Sequence, residues 1–514
     1  MKHIKTYLLY FSLLSSVCTV PIVNSAELTP YRGDYRLSYD NLTLASDESM
    51  GLLGASYLLK SGEWYQGLGT YSAVSGERGG FFTIGYEFGR YFNFSKAWRV
   101  NASGFVGGGG GGAAPQGGGL MLRQSLSLEY LYGSNGFALG VSGVQFPNGD
   151  IRSEQLTLAI SKRFDSLFTS PSYDLNQLDY DVINLLNVGK QVGLERYKFS
   201  AQLKYYDPSA NSRMTTGQRH PGSMRLLGAK LQYFSTDNIY TGLSTYGANS
   251  GGVDGFAQLG LIAGAMWPLS SSFTGSFELQ LGAAGGGRVE TGGGAIIGGE
   301  VGISWLLGDA LSIGFDAGYI HAPDGRFSAR SYGLSAGYQY DVLGISKTSK
   351  PLLSSISFQR RDWRLRMSHQ SYLPVDDANK EYAAGKDAAR RIDLFGMLID
   401  LFVSPRVYFS GQAIGAYNGE AGGYAVGLFG VGFLQPVSEA ISLGAEMSLG
   451  SAGGGGLAVG SGLVSQYYMT CEYRFTETYS VELAAGRFSS LEGDFDVDLL
   501  QMSLNYRFSE IAAW

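Results

Sequence analysis

Three segments of this chain end on an aromatic residue fifteen positions after a turn glycine: Phe164 after Gly149, Tyr340 after Gly325 and Phe508 after Gly493. Every second residue before Phe508 is Tyr506, Leu504, Met502 and Leu500, and before Tyr340 it is Tyr338, Ala336, Leu334 and Tyr332. The residues between are Arg507, Asn505, Ser503 and Gln501 in one segment, and Gln339, Gly337, Ser335 and Gly333 in the other. A period of two puts one apolar, aromatic row and one small, polar row on opposite faces of a strand. A chain carrying many such strands has to find something apolar to cover the first row.

The same phase runs through the whole chain. Leu126, Leu128, Tyr130 and Tyr132 align with Val301, Ile303, Trp305 and Leu307, and with Met469, Cys471, Tyr473 and Phe475. Glycine runs mark each copy: Gly107 to Gly112 with Gly117 to Gly119, Gly285 to Gly287 with Gly292 to Gly294, and Gly453 to Gly456 with Gly460 and Gly462. The second and third copies are offset by 168 residues (453 − 285 and 460 − 292). The first and second are offset by 178 (285 − 107) or 175 (292 − 117). A near-constant offset over this distance indicates a repeated unit. Eight alternating segments fall in each unit, which predicts an all-β chain of about 24 strands.

Charged residues are 16% of the chain and aromatics 13%, with 76 glycines among 514 residues. Charge is sparse and glycine abundant against ordinary soluble domains. A net charge of −6 leaves no nucleic-acid footprint. Lys2 and Lys5, the apolar stretch Tyr7 to Val20 and the small residues Ser25 and Ala26 read as a secretory signal over 1–26. Beyond it only Cys471 remains, so no internal disulfide or cysteine metal site is expected.

A soluble sheet also alternates, but it would not carry long rows of large aromatics on an open face. The pattern Leu500-x-Met502-x-Leu504-x-Tyr506-x-Phe508 resembles the insertion signal of Gram-negative outer-membrane β-barrels, a porin-like class, with Leu504, Tyr506 and Phe508 as its core. Ser509 to Trp514 follow it. With Phe508 at the periplasmic end and strands alternating in direction, five of the six tryptophans (Trp64, Trp98, Trp267, Trp305 and Trp514) fall at one rim, as an aromatic girdle would. The resemblance implies an outer-membrane location, contact with lipid and the insertion machinery, and possible periplasmic export partners.

The expected organisation is a signal peptide at 1–26, β repeat 1 at 27–164, and a periplasmic linker with a short helix at 165–195. Repeat 2 follows at 196–340, a linker at 341–354, repeat 3 at 355–508 and a tail at 509–514. Asp376 to Arg391 reads as a polar helix in an outer loop. The architecture taken forward is one barrel of about 24 strands, because small lumen-facing residues would fill a tight eight-stranded core poorly. The alternative is three linked eight-stranded barrels.

Candidate functional residues are few. Glu129, Glu278, Glu300, Glu446 and Glu472, with Arg163 and Arg507, fall on the polar face and are expected to line a lumen, where charge sets ion preference. Gly107, Gly108, Gly109, Gly285, Gly286, Gly287, Gly453, Gly454 and Gly455 are flexible outward hairpin tips, or hairpins that fold together as a constriction or partner contact. No Gly-x-x-x-x-Gly-Lys-Ser/Thr follows them, so a phosphate cradle is not indicated. His220, His321 and His369 stand without a repeated serine or carboxylate partner, so no catalytic residue, metal or cofactor is expected. The expected function is an outer-membrane channel or export portal with passive passage through a polar lumen. A non-conducting scaffold or surface-assembly protein is the first alternative, and a lipid-modifying barrel enzyme the second. An enzyme would require one unit with a distinctive polar cluster.

Overall fold

A computed structural model describes residues 28–45, 47–345, 356–375 and 391–513. All but the last residue of the outer-loop helix expected from Asp376 to Arg391, the signal peptide and much of the second linker lie outside the described residues. The regular structure of the described residues is almost wholly strand. The first eight are β1 (Thr29–Thr43), β2 (Ser49–Ser61), β3 (Trp64–Gly76), β4 (Phe82–Asn93), β5 (Trp98–Gly110), β6 (Met121–Tyr132), β7 (Asn135–Gln145) and β8 (Arg152–Phe168). Next come β9 (Val192–Pro208), β10 (Met224–Phe234), β11 (Ile239–Ser250), β12 (Ala257–Pro268), β13 (Phe273–Gly285), β14 (Ala295–Leu307), β15 (Leu311–His321) and β16 (Ser328–Ile345). The last are β17 (Phe358–Leu373), β18 (Ile392–Phe402), β19 (Val407–Asn418), β20 (Ala425–Pro436), β21 (Ile441–Gly453), β22 (Leu463–Arg474), β23 (Tyr479–Ser490) and β24 (Asp496–Ala513).

All consecutive neighbours within each group of eight pair antiparallel, and each group closes on itself. β1 bonds to β8 from Thr29↔Phe168 to Asp40↔Thr157. β9 bonds to β16 from Val192↔Ile345 to Pro208↔Ala329. β17 bonds to β24 from Phe358↔Ala513 to Leu373↔Asp498. The ladder therefore closes three times, into barrel 1 (β1–β8), barrel 2 (β9–β16) and barrel 3 (β17–β24). This corrects the single wide barrel expected from the sequence. The physical reason lies in the first strand of each group. The small residues counted in the sequence line the last strands. The first strands send long side chains inward, such as Arg364 and Arg366 on β17, and these fill a narrow lumen.

Closure removes every free sheet edge, which is the condition for a sheet to cross lipid. The outer faces are apolar. Leu156, Leu158 and Ile160 on β8, and Tyr467 and Met469 on β22, are more than half exposed, with Leu156 and Met469 at 71%. Trp64, Trp98, Trp267 and Trp305 are exposed at one rim. No helix among the described residues is long and apolar enough to span a bilayer, so crossing falls to the strands. Closed barrels with apolar outer faces make this a membrane-spanning β-barrel fold.

The three barrels touch at both ends. At the periplasmic end the last strands bridge one another pairwise: Thr169 with Ser509, Ile345 with Asp165, and Val342 with Ala512. The linker after β8 forms a helix, α1 (Leu178–Asn187), beneath this junction. It packs Leu178 and Leu185 against Leu28 and Leu167 of barrel 1, Leu343 of barrel 2 and Ile511 of barrel 3. Its buried Asp181 accepts hydrogen bonds from the Leu28 backbone N–H (3.2 Å) and the Tyr173 hydroxyl (2.6 Å).

Candidate functional site

Each lumen has two layers. Toward the periplasm lies a network of buried charges. Alternation puts Asp34, Arg36, Ser38 and Asp40 inward on β1, Lys198, Ser200, Gln202 and Lys204 on β9, and Arg364, Arg366, Ser368 and Gln370 on β17. In barrel 1, Arg99 Nε meets Glu129 at 2.7 Å, Arg36 meets Glu87 at 3.1 Å, and Arg123 meets Asp40 at 2.8 Å. In barrel 2, Lys230 bridges Glu278 (2.6 Å) and Glu300 (3.0 Å), while Lys204 bridges Glu300 (2.5 Å) and Asp316.

Barrel 3 is the most densely connected. Arg364 reaches Asp400 (2.7 Å), Glu472 (3.1 Å) and Glu482 (3.0 Å). Arg366 reaches Asp400 (2.8 Å), Glu446 (2.7 Å) and Glu482 (3.2 Å). Arg507 adds a contact to Glu472 at 2.9 Å. Buried charges survive only where partners replace water, and these do.

Toward the outside, each lumen is stoppered by apolar side chains. Barrel 1 uses Leu52, Phe81, Phe105, Phe146 and Ile151. Barrel 2 uses Leu226, Phe256 and Phe327, and barrel 3 uses Leu394, Tyr424, Phe488 and Phe495. A cavity of about 50 Å³ lies beside Lys198, Lys230 and Glu300 in barrel 2, and one of about 10 Å³ in barrel 1. Those volumes suit a few waters at most.

Of the residues singled out in the sequence, Glu129, Glu278, Glu300, Glu446, Glu472 and Arg507 all sit in these networks. Arg163 stands apart at the exposed periplasmic rim, donating to the Gly133 carbonyl. Apart from Arg507, the cations that hold the carboxylates are not among the residues singled out from the sequence. For Arg36, Lys204, Arg364 and Arg366 the signal is the period-two polar row of each first strand, Asp34-x-Arg36-x-Ser38-x-Asp40 in barrel 1, while Arg99, Arg123 and Lys230 lie on β5, β6 and β10. Leu504, Tyr506 and Phe508 lie within β24, where Phe508 packs on Phe168 of barrel 1 with ring centroids 5.0 Å apart.

The glycine runs sit between barrels. Gly79 N–H of barrel 1 donates to the Gly292 carbonyl of barrel 2 (2.9 Å). Gly423 N–H of barrel 3 donates to the Gly109 carbonyl of barrel 1 (3.3 Å). Ser451 Oγ of barrel 3 donates to the Gly247 carbonyl of barrel 2 (3.1 Å). Each run thus meets the β3–β4-type turn of the preceding barrel, in a cycle: run 2 on barrel 1, run 3 on barrel 2 and run 1 on barrel 3. A Cβ at Gly285 would collide with the Gly80 nitrogen, and one at Gly453 would collide with the Gly255 nitrogen. Only glycine lets two backbones approach so closely. Gly107, Gly286, Gly287, Gly454 and Gly455 pack on turns or strands of their own barrels, while Gly108 faces the Gly415 carbonyl of barrel 3.

No group of His, Cys, Asp and Glu among the described residues is arranged to hold a metal ion. No family model matches the chain, and no curated protein matches it in sequence. Solved structures give distant likenesses. The ferric enterobactin receptor PfeA of Pseudomonas aeruginosa is 10% identical over 94% of this chain and 82% of its own, with a TM-score of 0.27. OccK5 of the same organism is 10% identical over 93% of this chain and 98% of its own, with a TM-score of 0.22. The ferric-catecholate import receptor Fiu of E. coli is 9% identical over 94% of this chain and 82% of its own, with a TM-score of 0.26.

Proposed function

We propose that this protein is a non-conducting outer-membrane scaffold, in which three sealed barrels form one block and the work is done on its two faces. The observation that carries this reading is the double seal in every lumen. Ions crossing barrel 3 would have to break the Arg364 and Arg366 network and then part Phe488 from Phe495. The outer loops, gathered at the glycine seam, would be the assembly face. On the periplasmic side α1 exposes Tyr180, Ile183 and Leu186, an apolar strip suited to an export or assembly partner. Insertion machinery would engage β24.

The test is current through a planar bilayer holding the purified, detergent-folded chain. The expected result is no stable conductance from protein whose barrels are demonstrably folded. A large, steady, single-step conductance overturns the scaffold reading.

A second reading has its own support. Ionisable groups occupy strand positions that elsewhere meet lipid, where the periplasmic ends converge. Arg361 of barrel 3 donates to the Tyr338 hydroxyl of barrel 2 (2.8 Å), and Trp363 donates to Glu510 (2.9 Å). A portal would then run between the barrels, not through them. Glu195 of β9 lies near Glu510 at this convergence, so under this reading Glu195→Gln with Glu510→Gln changes the ion preference of whatever current is seen, while changes inside the lumens do not.

A further inference from the structure

Among the described residues, only barrel 3 carries a serine, a histidine and a carboxylate within reach of one another on the side of its strands that faces away from the lumen. His369 and Ser371 lie two apart on β17, on the side away from the lumen. Ser371 Oγ is 3.2 Å from His369 Nε2 and 2.8 Å from Asp393 Oδ1. His369 Nδ1 is 2.9 Å from the Tyr417 hydroxyl. Asp393 also lies 3.9 Å from His369 Nε2 and accepts from Arg391 Nε (2.6 Å) and Asn418 Nδ2 (2.9 Å).

A β-bulge builds this cluster. The β18–β19 register slips between Asp393 and Leu394, so Tyr417 is skipped in the ladder and Asn418 stands opposite Asp393. Bulges re-aim side chains in this way beside working sites. The same slip occurs in the other barrels, between Gly51 and Leu52 and between Arg225 and Leu226. Register therefore identifies the equivalent positions. Ser371 and Asp393 correspond to Asn41 and Gly51 in barrel 1, and to Tyr205 and Arg225 in barrel 2. The frame is common to all three, and the chemistry is present in one.

The surroundings indicate the substrate. Across the β17–β24 ladder, His369 faces Met502 and Ser371 faces Leu500. Leu500 and Met502 are about half exposed in the lipid-facing row, at 51% and 46%. The site is thus at the outer end of the barrel wall, with Ser371 (4% exposed) and Asp393 (5%) buried behind the part-exposed His369 and flanked by this lipid-facing row on one side and by Gly118 of barrel 1 on the other. The Arg391 side chain, 59% exposed and paired with Asp393, stands just before β18 at this end of the wall.

We propose that barrel 3 is a serine hydrolase of acyl esters in outer-leaflet lipids, with Ser371 as nucleophile and His369 as base. Rotation of the Ser371 O–H from Asp393 to His369 aligns the proton for transfer. Ser371 Oγ bonds to the ester carbonyl carbon as His369 Nε2 takes that proton. The carbonyl–alkoxy bond then breaks, and His369 returns the proton to the leaving alcohol. Water attacks the acyl-serine, again giving its proton to His369, and releases the free fatty acid. One ester and one water become one acid and one alcohol. Tyr417 positions the imidazole through Nδ1, and Asp393 faces the imidazolium as it forms.

The test places the full, folded chain in two kinds of vesicle: phosphatidylethanolamine with phosphatidylglycerol, and the same mixture with lipopolysaccharide. Released fatty acid is measured, and the protein is treated with a fluorophosphonate probe and mapped by mass spectrometry. The expected results are release in at least one arm, a probe adduct on Ser371, and a fall of about 10³-fold or more in Ser371→Ala and His369→Ala. Release in both arms, or only in the first, assigns glycerophospholipid esters. Release only in the second assigns the acylated saccharide. Tyr417→Phe should slow release and shift its pH profile, which a packing role alone would not do. No release above a protein-free control, with no adduct on Ser371 in folded wild-type protein, overturns the proposal, and that adduct readout does not depend on any variant folding.

Discussion

Thr169 and Ser509 exchange both backbone hydrogen bonds, 2.9 Å and 2.8 Å, joining the end of barrel 1 to the end of barrel 3. Counted from Phe164, Tyr340 and Phe508, this pair is position +5 with +1. Ile345 with Asp165 is again +5 with +1, and Ala512 with Val342 is +4 with +2. The antiparallel register is the same in all three. The outer glycine contacts run in the same cycle, barrel 1 to 2 to 3 to 1. One covalent chain thus reproduces the closed, head-to-tail contacts of a three-fold ring.

The charge networks make a direct prediction for stability. Arg364 is fully buried and serves three carboxylates, so Arg364→Met deprives Asp400, Glu472 and Glu482 of a shared cation. We expect a loss of about 3–5 kcal/mol, read as a lower urea midpoint of the detergent-folded protein. Arg487→Ala breaks a pair with Asp496 that is equally short, 2.6 Å, but exposed. It should leave the midpoint unchanged.

The seam predicts a position-specific effect of a single methyl. Gly453→Ala puts a carbon against the Gly255 backbone of another barrel, and backbone cannot rotate aside. About 1–3 kcal/mol should be lost from the unfolding free energy. Gly427→Ala is the control, because nothing lies within 4 Å of the added carbon. Equal midpoints for the two variants would mean that the glycine contacts do not hold the barrels together.

The period-two rows make the strands and their lipid-facing side legible in the amino-acid sequence, because alternation is a local property. Closure is not local. Whether β8 bonds to β1 or to β9 depends on what fills the lumen, and that is set by Arg364, Arg366, Lys204 and Arg99, whose partners lie on distant strands. The two-layer seal is hidden for the same reason. Phe327 and Phe495 sit in outer turns, where a lone aromatic has no periodic signal. The Ser371, His369 and Asp393 cluster is hidden by the bulge, since no sequence spacing shows that Tyr417 drops out of the ladder.

The apolar stoppers should be costly to cut. Phe495 is fully buried with Tyr372, Tyr424 and Phe488, its ring centroid 5.8 Å from that of Phe488. Phe495→Ala removes the ring from a site that strands on all sides prevent from collapsing. The expected loss is about 3–5 kcal/mol in urea unfolding. No current should appear in a planar bilayer, because the Arg364 and Arg366 layer still closes the lumen beneath. Conductance from this variant alone would show that the apolar layer is the sole barrier.

The periplasmic cap carries a pH dependence. Tyr173 is buried beneath α1 and donates to Asp181; burial first, and then the neighbouring carboxylate, push its hydroxyl well above the ordinary tyrosine value. A group raised in the folded state contributes stability that is complete below its unfolded pKa, about 10, and fades as pH climbs toward the folded value. The cap should therefore hold at pH 7 to 9 and loosen progressively above pH 10. Subtilisin, active at alkaline pH, reads this as cleavage within 175–190 that rises above pH 10 while the barrels stay intact. Tyr173→Phe has no proton to lose, so its cleavage should rise less over the same range, starting from a higher level because the 2.6 Å bond to Asp181 is gone. Parallel curves for the two proteins would remove Tyr173 as the group that couples the cap to pH.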